Sequence, residues 1–391
     1  MASIQKVEAL SSMESLPNEL LEHIFSFLSC CKDIPSSQKI RHVPNHGITT
    51  SPCSDLKHIS QTSRRFRELS LANLFSHARL ELRDLQPFIS FLCRNGLFKY
   101  VRSVVVSIRS IFPGSENQLW WETLLGHLDP ESLTVIAPPH VFAEMAHCSL
   151  EKTHLWAFEL PLQIMQFRQP FKGKRVMEAA VKKPVEVADD LTESTILSAR
   201  PWSEIHFNEG SSLKAYNNYE YFLLHVPSIM DHWGTTNPLQ SKILPYPTGP
   251  ITRLKSFHYT AVFPFYNHTN MVLKVIRNML NLVRLSIQLS PSPGSTILED
   301  ERERGSLNPN DPWMELDTSY SLISHTVRYL GVQGELEEFQ SWDFERSALK
   351  DNLATTMKTG LNGKWVHKGD GLWVKAPPLE EQSPSDGNGA A

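Results

Sequence analysis

A short apolar phrase recurs along the second half of the chain and sets strong limits on its fold. In this phrase leucine is followed by a second apolar residue three positions on, and it reads Leu254–Tyr259, Leu282–Ile287 and, more loosely, Leu336–Phe339. Apolar residues at alternate positions are typical of a β-strand with one buried face. The strand centres Phe257 and Leu285 are 28 residues apart, and Leu285 and Phe339 are 54 apart. These spacings fit one and two units of a repeat of about 20 to 29 residues.

From about Arg79 onward, short runs of this kind alternate with stretches that have helical apolar spacing, such as Tyr216–Ile229 and Asn270–Leu282. The further runs are 80–82, 101–108, 133–136, 155–160 and 202–207. We therefore expect an α/β chain whose C-terminal part is an irregular, leucine-rich-repeat-like α/β horseshoe with a parallel inner sheet. The alternative is an ordinary α/β domain, because the asparagine of the repeat signature is missing.

Alternation along the strands predicts which side chains share a face. Residues such as Ile205, Phe207, Phe257 and Tyr259 would point into the core, and their neighbours would point away from it. The inner sheet of a solenoid is a common binding surface. We expect it to bind a protein target through Glu204, His206, Ser256, His258, Arg284, Ser286, Gln288, Glu338 and Gln340.

The N-terminal part is predicted to form three short helices. Apolar residues recur at three- and four-residue intervals from Leu16 to Leu28, with Pro17 suited to the first turn and Glu19 placed to favour the helix dipole. A loop of 26 residues, Ser29–Ser54, interrupts the pattern. After it, Ser54 or Asp55 is placed to cap a second helix, and a third follows.

Residues 16–28 resemble the first half of an F-box, the helical module by which substrate receptors dock onto the Skp-type adaptor of SCF ubiquitin ligases. Residues 55–66, with Asp-Leu, a later apolar residue, Ser-Arg and an aromatic residue at fixed spacing, resemble the second half. The inserted loop departs from the family, which has only a handful of residues there. Lengthening a surface loop costs only about 0.6 kcal/mol per doubling, so both halves can still close on each other.

The whole arrangement resembles the F-box proteins of filamentous fungi in which the F-box precedes irregular leucine-rich repeats. The resemblance implies a receptor that docks a Skp-type adaptor and, through it, cullin and RING subunits, while the repeats recognise a protein target. The adaptor-binding residues would be Leu16, Pro17, Glu19, Leu20, Leu21, Ile24, Phe25, Leu28, Leu56, Ile59 and Phe66. Two alternatives remain: these residues only form the core of a helical hairpin, or the chain is a non-degradative protein–protein interaction scaffold.

These expectations divide the chain into a flexible N-terminus (1–14), the F-box-like module (15–78, with the loop 29–54), the repeat-like array (79–375) and a disordered tail (376–391). With a net charge of -4, the chain as a whole has no positive potential that would attract nucleic acid or an anionic membrane. The first thirty residues lack a basic segment followed by a long apolar run, and the uncharged apolar stretches are shorter than the roughly 18 residues of a membrane helix, so we expect neither a signal peptide nor a membrane span. We expect an intracellular protein, cytoplasmic and/or nuclear, with neither nucleic acid nor membrane as a partner.

Motifs of catalysis are missing from the sequence. It has no Gly-rich phosphate loop, G-x-S-x-G elbow, H-E-x-x-H helix or paired C-x-x-C motif, which favours a non-catalytic recognition subunit without cofactors. An enzyme with a site built from scattered residues would need a buried, strongly shifted carboxylate or histidine in a pocket. We expect no metal, although Cys30, Cys31, His42, His46 and Cys53 of the inserted loop have metal-ligating side chains.

Overall fold

The computed structural model describes residues 13–28, 36–48, 54–109, 119–146, 157, 162–170, 195–233, 250–304 and 307–377. Within them the chain is mixed α/β. The described α-helices are α1 (Asn18–Leu28), α2 (Ser37–Arg41), α3 (Ser54–Thr62), α4 (Arg64–Phe75), α5 (Leu85–Asn95), α6 (Trp120–His127), α7 (Pro139–Met145), α8 (Tyr219–Leu224), α9 (Tyr266–Ile276), α10 (Ile297–Glu303), α11 (Asp311–Gln333) and α12 (Lys350–Leu361).

The described strands form one ten-stranded sheet. They are β1 (His77–Glu81), β2 (Ser103–Ser107), β3 (Ser132–Ala137), β4 (Gln163–Arg168), β5 (Glu204–Ser211), β6 (Ser256–Val262), β7 (Arg284–Gln288), β8 (Glu338–Ser341), β9 (Trp365–Gly369) and β10 (Leu372–Lys375). The first eight strands lie side by side in chain order, and β10 lies between β8 and β9. All neighbouring pairs are parallel except those made by β4 and by β10.

The main hydrophobic core lies on one face of this sheet, beneath the helices. Alternate strand residues such as Val104, Phe207, Phe257 and Leu285 pack there against helix residues such as Leu92. Helices cover this face because each strand contributes apolar residues to it at every second position. We call the opposite face, whose strand residues are mostly polar, the polar face.

The expected α/β class is confirmed, since runs predicted as strands contain β1 to β3 and β5 to β8 in whole or in part. Three strands were not predicted: β4, which interrupts the parallel order, and the hairpin β9–β10. The predicted strand 155–160 lies almost entirely outside the described residues, as do residues 1–12 of the expected flexible N-terminus and 378–391 of the expected tail. The inserted loop was predicted only as a loop, but its residues 36–48 contain α2 and pack on the sheet.

Candidate functional site

The helices α1, α3 and α4 form an N-terminal unit with a small core of its own. Leu21 and Phe25 of α1 pack with Leu56 of α3 and Phe66 of α4, and each is no more than 6% exposed. The Phe25 and Phe66 rings meet edge to face with centroids 5.5 Å apart. Two halves of sequence separated by the inserted loop therefore close on each other.

Two polar residues of the second half fix the geometry of this unit. Ser63 is the N-cap of α4, where its hydroxyl accepts a hydrogen bond from the backbone N–H of Phe66 at 3.2 Å. The guanidinium of Arg65 donates to the carbonyl of Leu16 at 2.6 Å and to Oδ1 of Asn18, and it also donates to the carbonyl of Glu14. Arg65 thus holds the chain entering α1 against α4.

An apolar stripe runs along α1 beside the side of the helix that packs into this core. Leu20, Ile24 and Phe27 are spaced at i, i+4 and i+7, which places them on one side of a helix. Leu20 is 51% exposed and Phe27 is 75% exposed, while Ile24 is partly buried. Leu16 and Pro17 immediately precede the helix beside them. We call these five residues the α1 stripe.

The structure divides the predicted adaptor-binding residues into two groups. Leu16, Leu28 and Ile59 are partly buried against the small core, as is Ile24, and Pro17, Glu19 and Leu20 are exposed. The other four, Leu21, Phe25, Leu56 and Phe66, are core residues and are not exposed on the surface of the unit. Phe27 was missed, although its distance of seven residues from Leu20 was the signal that could have found it.

The polar face carries three rows of residues that run across the sheet in register. The row at the start of the parallel strands is Ser103, Ser132, Arg168, Glu204, Ser256, Arg284 and Glu338. The middle row is Val105, Thr134, Gln166, His206, His258, Ser286 and Gln340. The row at their carboxyl ends is Ser107, Ile136, Ile164, Asn208, Thr260 and Gln288.

Two histidines and a glutamate form the centre of the polar face. The imidazole rings of His206 and His258 stack with centroids 3.8 Å apart. Nε2 of His206 lies 2.6 Å from Oε1 of Glu204, and Nδ1 of His258 lies 2.6 Å from the hydroxyl of Ser286. Arg168 donates to the same Glu204 oxygen at 3.3 Å. Burial tends to raise the pKa of Glu204, but its hydrogen bond with His206 and the nearby positive charge lower it to about 2.

These three side chains are also the group of described residues that could supply three ligands to a metal ion, since their ligating atoms all lie within 4.8 Å of one another. Their arrangement favours hydrogen bonding instead. An imidazole binds a metal along the lone pair in its ring plane, and two rings inclined by only 17° and stacked do not aim their lone pairs at one shared point. The guanidinium of Arg168 also forms an ion pair with the carboxylate of Glu204.

Residues 36–48, which we call the crossing segment, lie over the carboxyl-end row of the polar face. Ile40 and Ile48 are buried against Val105, Ile136 and Ile164, in a cluster separate from the main core. The amide of Asn208 donates to the carbonyls of Ile40 and His42 at 2.6 and 2.8 Å. Nearer β1, Nδ1 of His46 lies 2.6 Å from the hydroxyl of Ser107.

Arg41 of the crossing segment is buried near β8. Its guanidinium carbon lies 3.9 Å from the centre of the Trp342 ring, in a cation–π contact. Nη1 donates to Oε1 of Gln288 at 3.1 Å, and Nη2 pairs with Oε1 of Glu345 at 3.1 Å. An aromatic face, an amide and a carboxylate therefore surround this one cation.

All nine predicted target-binding residues lie on the polar face, but they are not uniformly open. Arg284 is exposed, and Glu204, His258, Glu338 and Gln340 are partly buried. The remaining four, His206, Ser256, Ser286 and Gln288, are at most 8% exposed, so these four predicted target-binding residues are buried in this structure. The physical reasons are tight side-chain packing between neighbouring strands and the cover that the crossing segment provides, neither of which strand alternation reveals.

A buried polar group lies on the other face of β5. The carboxylate of Glu209 accepts hydrogen bonds from the hydroxyls of Ser228 and Tyr259, and its Oε2 lies 3.1 Å from Nε2 of His268. These four residues are at most 4% exposed, and burial raises the pKa of Tyr259. A substrate could reach them only by opening the core, so we interpret the group as a structural network, in which Nδ1 of His268 is left without a hydrogen-bond partner among the described residues.

In the metal-ligating set of the inserted loop, Cys30, Cys31 and Cys53 lie outside the described residues. His42 is exposed, and His46 faces Ser107 on the sheet. No helix among the described residues combines the length and apolar character needed to cross a membrane. The chain matches no family model, no curated protein and no solved structure.

Proposed function

We propose that this chain is an F-box-type receptor, which docks a Skp-type adaptor through its N-terminal unit and presents a protein target on the polar face. The observation that carries the proposal is the α1 stripe. Phe27 and Leu20 are exposed on a helix whose Leu21 and Phe25 already pack into a small core. Exposed apolar patches of this kind mark sites of protein–protein contact.

The N-terminal unit supports docking in a second way. Arg65, which belongs to the Ser-Arg-aromatic part of the F-box-like phrase, ties Leu16 and Asn18 to α4. Leu16 and Pro17 are thereby held at the edge of the stripe. Preorganised contact groups lower the entropic cost of binding, so this tie favours a surface ready for a partner.

The remainder of the chain supports a leucine-rich-repeat-like array as the finer architecture. Seven strands, β1 to β3 and β5 to β8, run in one direction in chain order, and a helix follows each of them. The antiparallel β4 is the main irregularity. An array of this kind leaves one sheet face for recognition and needs no reactive group of its own, because holding a target near another enzyme raises its effective concentration.

The test is co-purification of the full chain with a Skp-type adaptor. A Leu20→Asp, Phe27→Asp double variant should weaken the complex by about 100-fold or more, because both side chains would be central to the contact. It should stay folded, since both residues are exposed in the free chain.

The matched control is Glu22→Lys with Ser26→Asp, at exposed positions on another side of α1. This variant should bind the adaptor like the wild type, with both variants checked by circular dichroism. The proposal is wrong if the wild type forms no complex, or if the stripe variant binds as well as the control. A complex that forms but supports no ubiquitin transfer to any captured protein would favour the scaffold alternative.

A further inference from the structure

The crossing segment makes contacts of the kind that a bound peptide makes. Its backbone is recognised directly, since one buried amide, that of Asn208, donates to the carbonyls of both Ile40 and His42. Its side chains alternate between buried and exposed surroundings: Ile40, Arg41, Pro44 and Ile48 are buried, whereas His42, Val43, Asn45 and Gly47 are exposed. A short helix of five residues contributes little stability by itself, so the sheet holds the segment in place.

The sheet beneath the segment has an aliphatic subsite. Val105, Ile136 and Ile164 stand on adjacent strands of a face whose other residues are mostly polar, and they belong to a cluster separate from the main core. Apolar side chains on that face can be buried only by something that comes from outside the sheet. In this structure Ile40 and Ile48 bury them, together with Leu162, which immediately precedes β4.

A subsite for a basic side chain lies toward the other side of the same face. Trp342, Glu345 and Gln288 surround the guanidinium of Arg41 with a ring face, a carboxylate and an amide oxygen. A planar guanidinium matches all three partners, whereas a lysine ammonium would not stack in the same way. Because Ile40 and Arg41 are consecutive, the two subsites together select an aliphatic residue followed by arginine.

The segment leaves room beside it. A cavity of about 410 Å³ lies between residues 41–45 and the loop Pro291–Ile297, with Asn208 and Val262 also at its wall. A peptide with larger side chains after the arginine would find space there. The site is therefore not shaped for the crossing segment alone.

We propose that the polar face is a binding site for a protein segment that carries an aliphatic residue followed by arginine, and that the crossing segment is its intramolecular occupant. The proposal deepens the proposed function, on which it rests, because it names the chemistry of the target. A target would compete with residues 36–48 for Asn208, the aliphatic subsite and the arginine subsite. The chain thus carries its own competitor between α1 and α3.

The experiment uses a fluorescein-labelled synthetic peptide of residues 36–48 and the full chain, with binding followed by fluorescence anisotropy. In the wild type the tethered segment competes at a high effective concentration, so the free peptide should bind weakly. An Ile40→Asp, Arg41→Glu variant of the chain places acidic groups in the aliphatic subsite and beside Glu345, and should release the segment. We expect it to bind the peptide at least about tenfold more tightly than the wild type does.

Matched controls test both sides of the contact. A Lys39→Glu, Val43→Asp variant of the chain changes exposed positions and should behave like the wild type. A peptide with the Ile40→Asp and Arg41→Glu substitutions should not bind the released chain. If the released chain is folded and binds the unmodified peptide no better than the wild type does, the proposal is wrong.

If the double variant fails to fold, the single variant Arg41→Ala removes only the arginine contact and should still tighten peptide binding about threefold. Peptide binding equal to that of the wild type would overturn the proposal.

Adaptor binding is measured on the same preparations. Loss of peptide binding with adaptor binding retained rejects only the peptide site, whereas loss of adaptor binding with peptide binding retained rejects only the docking function.

Discussion

The stacked histidines at the centre of the polar face make the stability of the chain sensitive to acid. Burial lowers the pKa of His258 to about 3, and the neighbouring His206 contributes to this shift; burial lowers the pKa of His206 as well. In the unfolded chain both return toward about 6.5, so below that pH the unfolded state binds more protons. The contribution of the two neutral histidines to the free energy of unfolding is therefore fully present above pH 6.5, and it is lost as the pH decreases.

This effect is measurable by urea unfolding at pH 7.5 and pH 5.0. Each buried neutral histidine lowers the free energy of unfolding by up to about 1.4 kcal/mol per pH unit in this window. The wild-type midpoint should drop markedly at pH 5.0, and His258→Gln should reduce the drop. His325→Gln, at an exposed position, should leave the wild-type profile intact. A wild-type midpoint that is equal at the two pH values would contradict the argument.

Single residues were predictable where local geometry alone decides their surroundings. Strand geometry places Ile205 and Phe207 in the core and His206 on the other face, and this alternation is visible in the sequence. The burial of His206 does not follow, because it depends on the ring of His258 on the neighbouring strand. Likewise, helical spacing identifies the apolar residues of α1, but only the positions of α3 and α4 decide that Phe25 is buried and Phe27 is exposed.

At the scale of elements, the hairpin β9–β10 depends on one glycine. Gly371 has a φ of +79°, in the region that L-residues rarely adopt, and a Cβ there would press on the carbonyl oxygen of Ser341 and on Phe344. Asp370 also has a positive φ, as tight two-residue turns between strands require. We expect Gly371→Ala to lower the free energy of unfolding by about 2 to 4 kcal/mol, from backbone strain and steric overlap together.

Gly363→Ala is the matched control for the steric part of this loss. Gly363 also has a positive φ, of +72°, but no heavy atom lies within 4 Å of the position of its Cβ. That substitution should lower the free energy of unfolding by only about 1 kcal/mol, which is the part of the loss that comes from backbone strain. Thermal unfolding of both variants checks the difference, and equal melting temperatures would show that the packing of Gly371 against Ser341 is unimportant.

Elements were predictable where the sequence repeats a phrase, as at β6 and β7, and less so where it does not. The hairpin β9–β10 had a usable signal, the Asp370–Gly371 dipeptide between two apolar runs. β4 had only a weak one, because Ile164 and Met165 are consecutive apolar residues that break a simple alternation. It is buried on both faces, between β3 and β5, and such strands lack the half-polar pattern on which strand prediction rests.

The molecule as a whole is organised by contacts that no local pattern reports. Arg41 and Gln288 are 247 residues apart in sequence, and Asn208 and Ile40 are 168 apart, yet each pair is joined by a hydrogen bond. Periodicity predicts helices and strands from neighbours within a few turns. It therefore predicted residues 29–54 as a loop and could not predict that part of this loop returns to the sheet.

The α1 stripe and the polar face share no residue, and this separation leads to a prediction for the whole chain. The cores behind them are distinct, since Leu21 and Phe25 belong to the small core of the N-terminal unit and Ile40 belongs to the aliphatic cluster on the sheet. Substitutions at distant sites without shared partners add within about 0.5 kcal/mol. The Ile40→Asp, Arg41→Glu variant should therefore bind the adaptor within about twofold of the wild type.

The combined variant, with Leu20→Asp and Phe27→Asp added, makes this test sharper. It should show the full loss of adaptor binding and the full gain of peptide binding, and the released chain should bind the peptide with equal affinity with and without saturating adaptor. The crossing segment is nevertheless joined through the chain to α1 on one side and to α3 on the other. A coupling above about 1 kcal/mol would mean that docking moves the segment, because any effect of the adaptor on peptide affinity must be matched by an equal effect of the peptide on adaptor affinity.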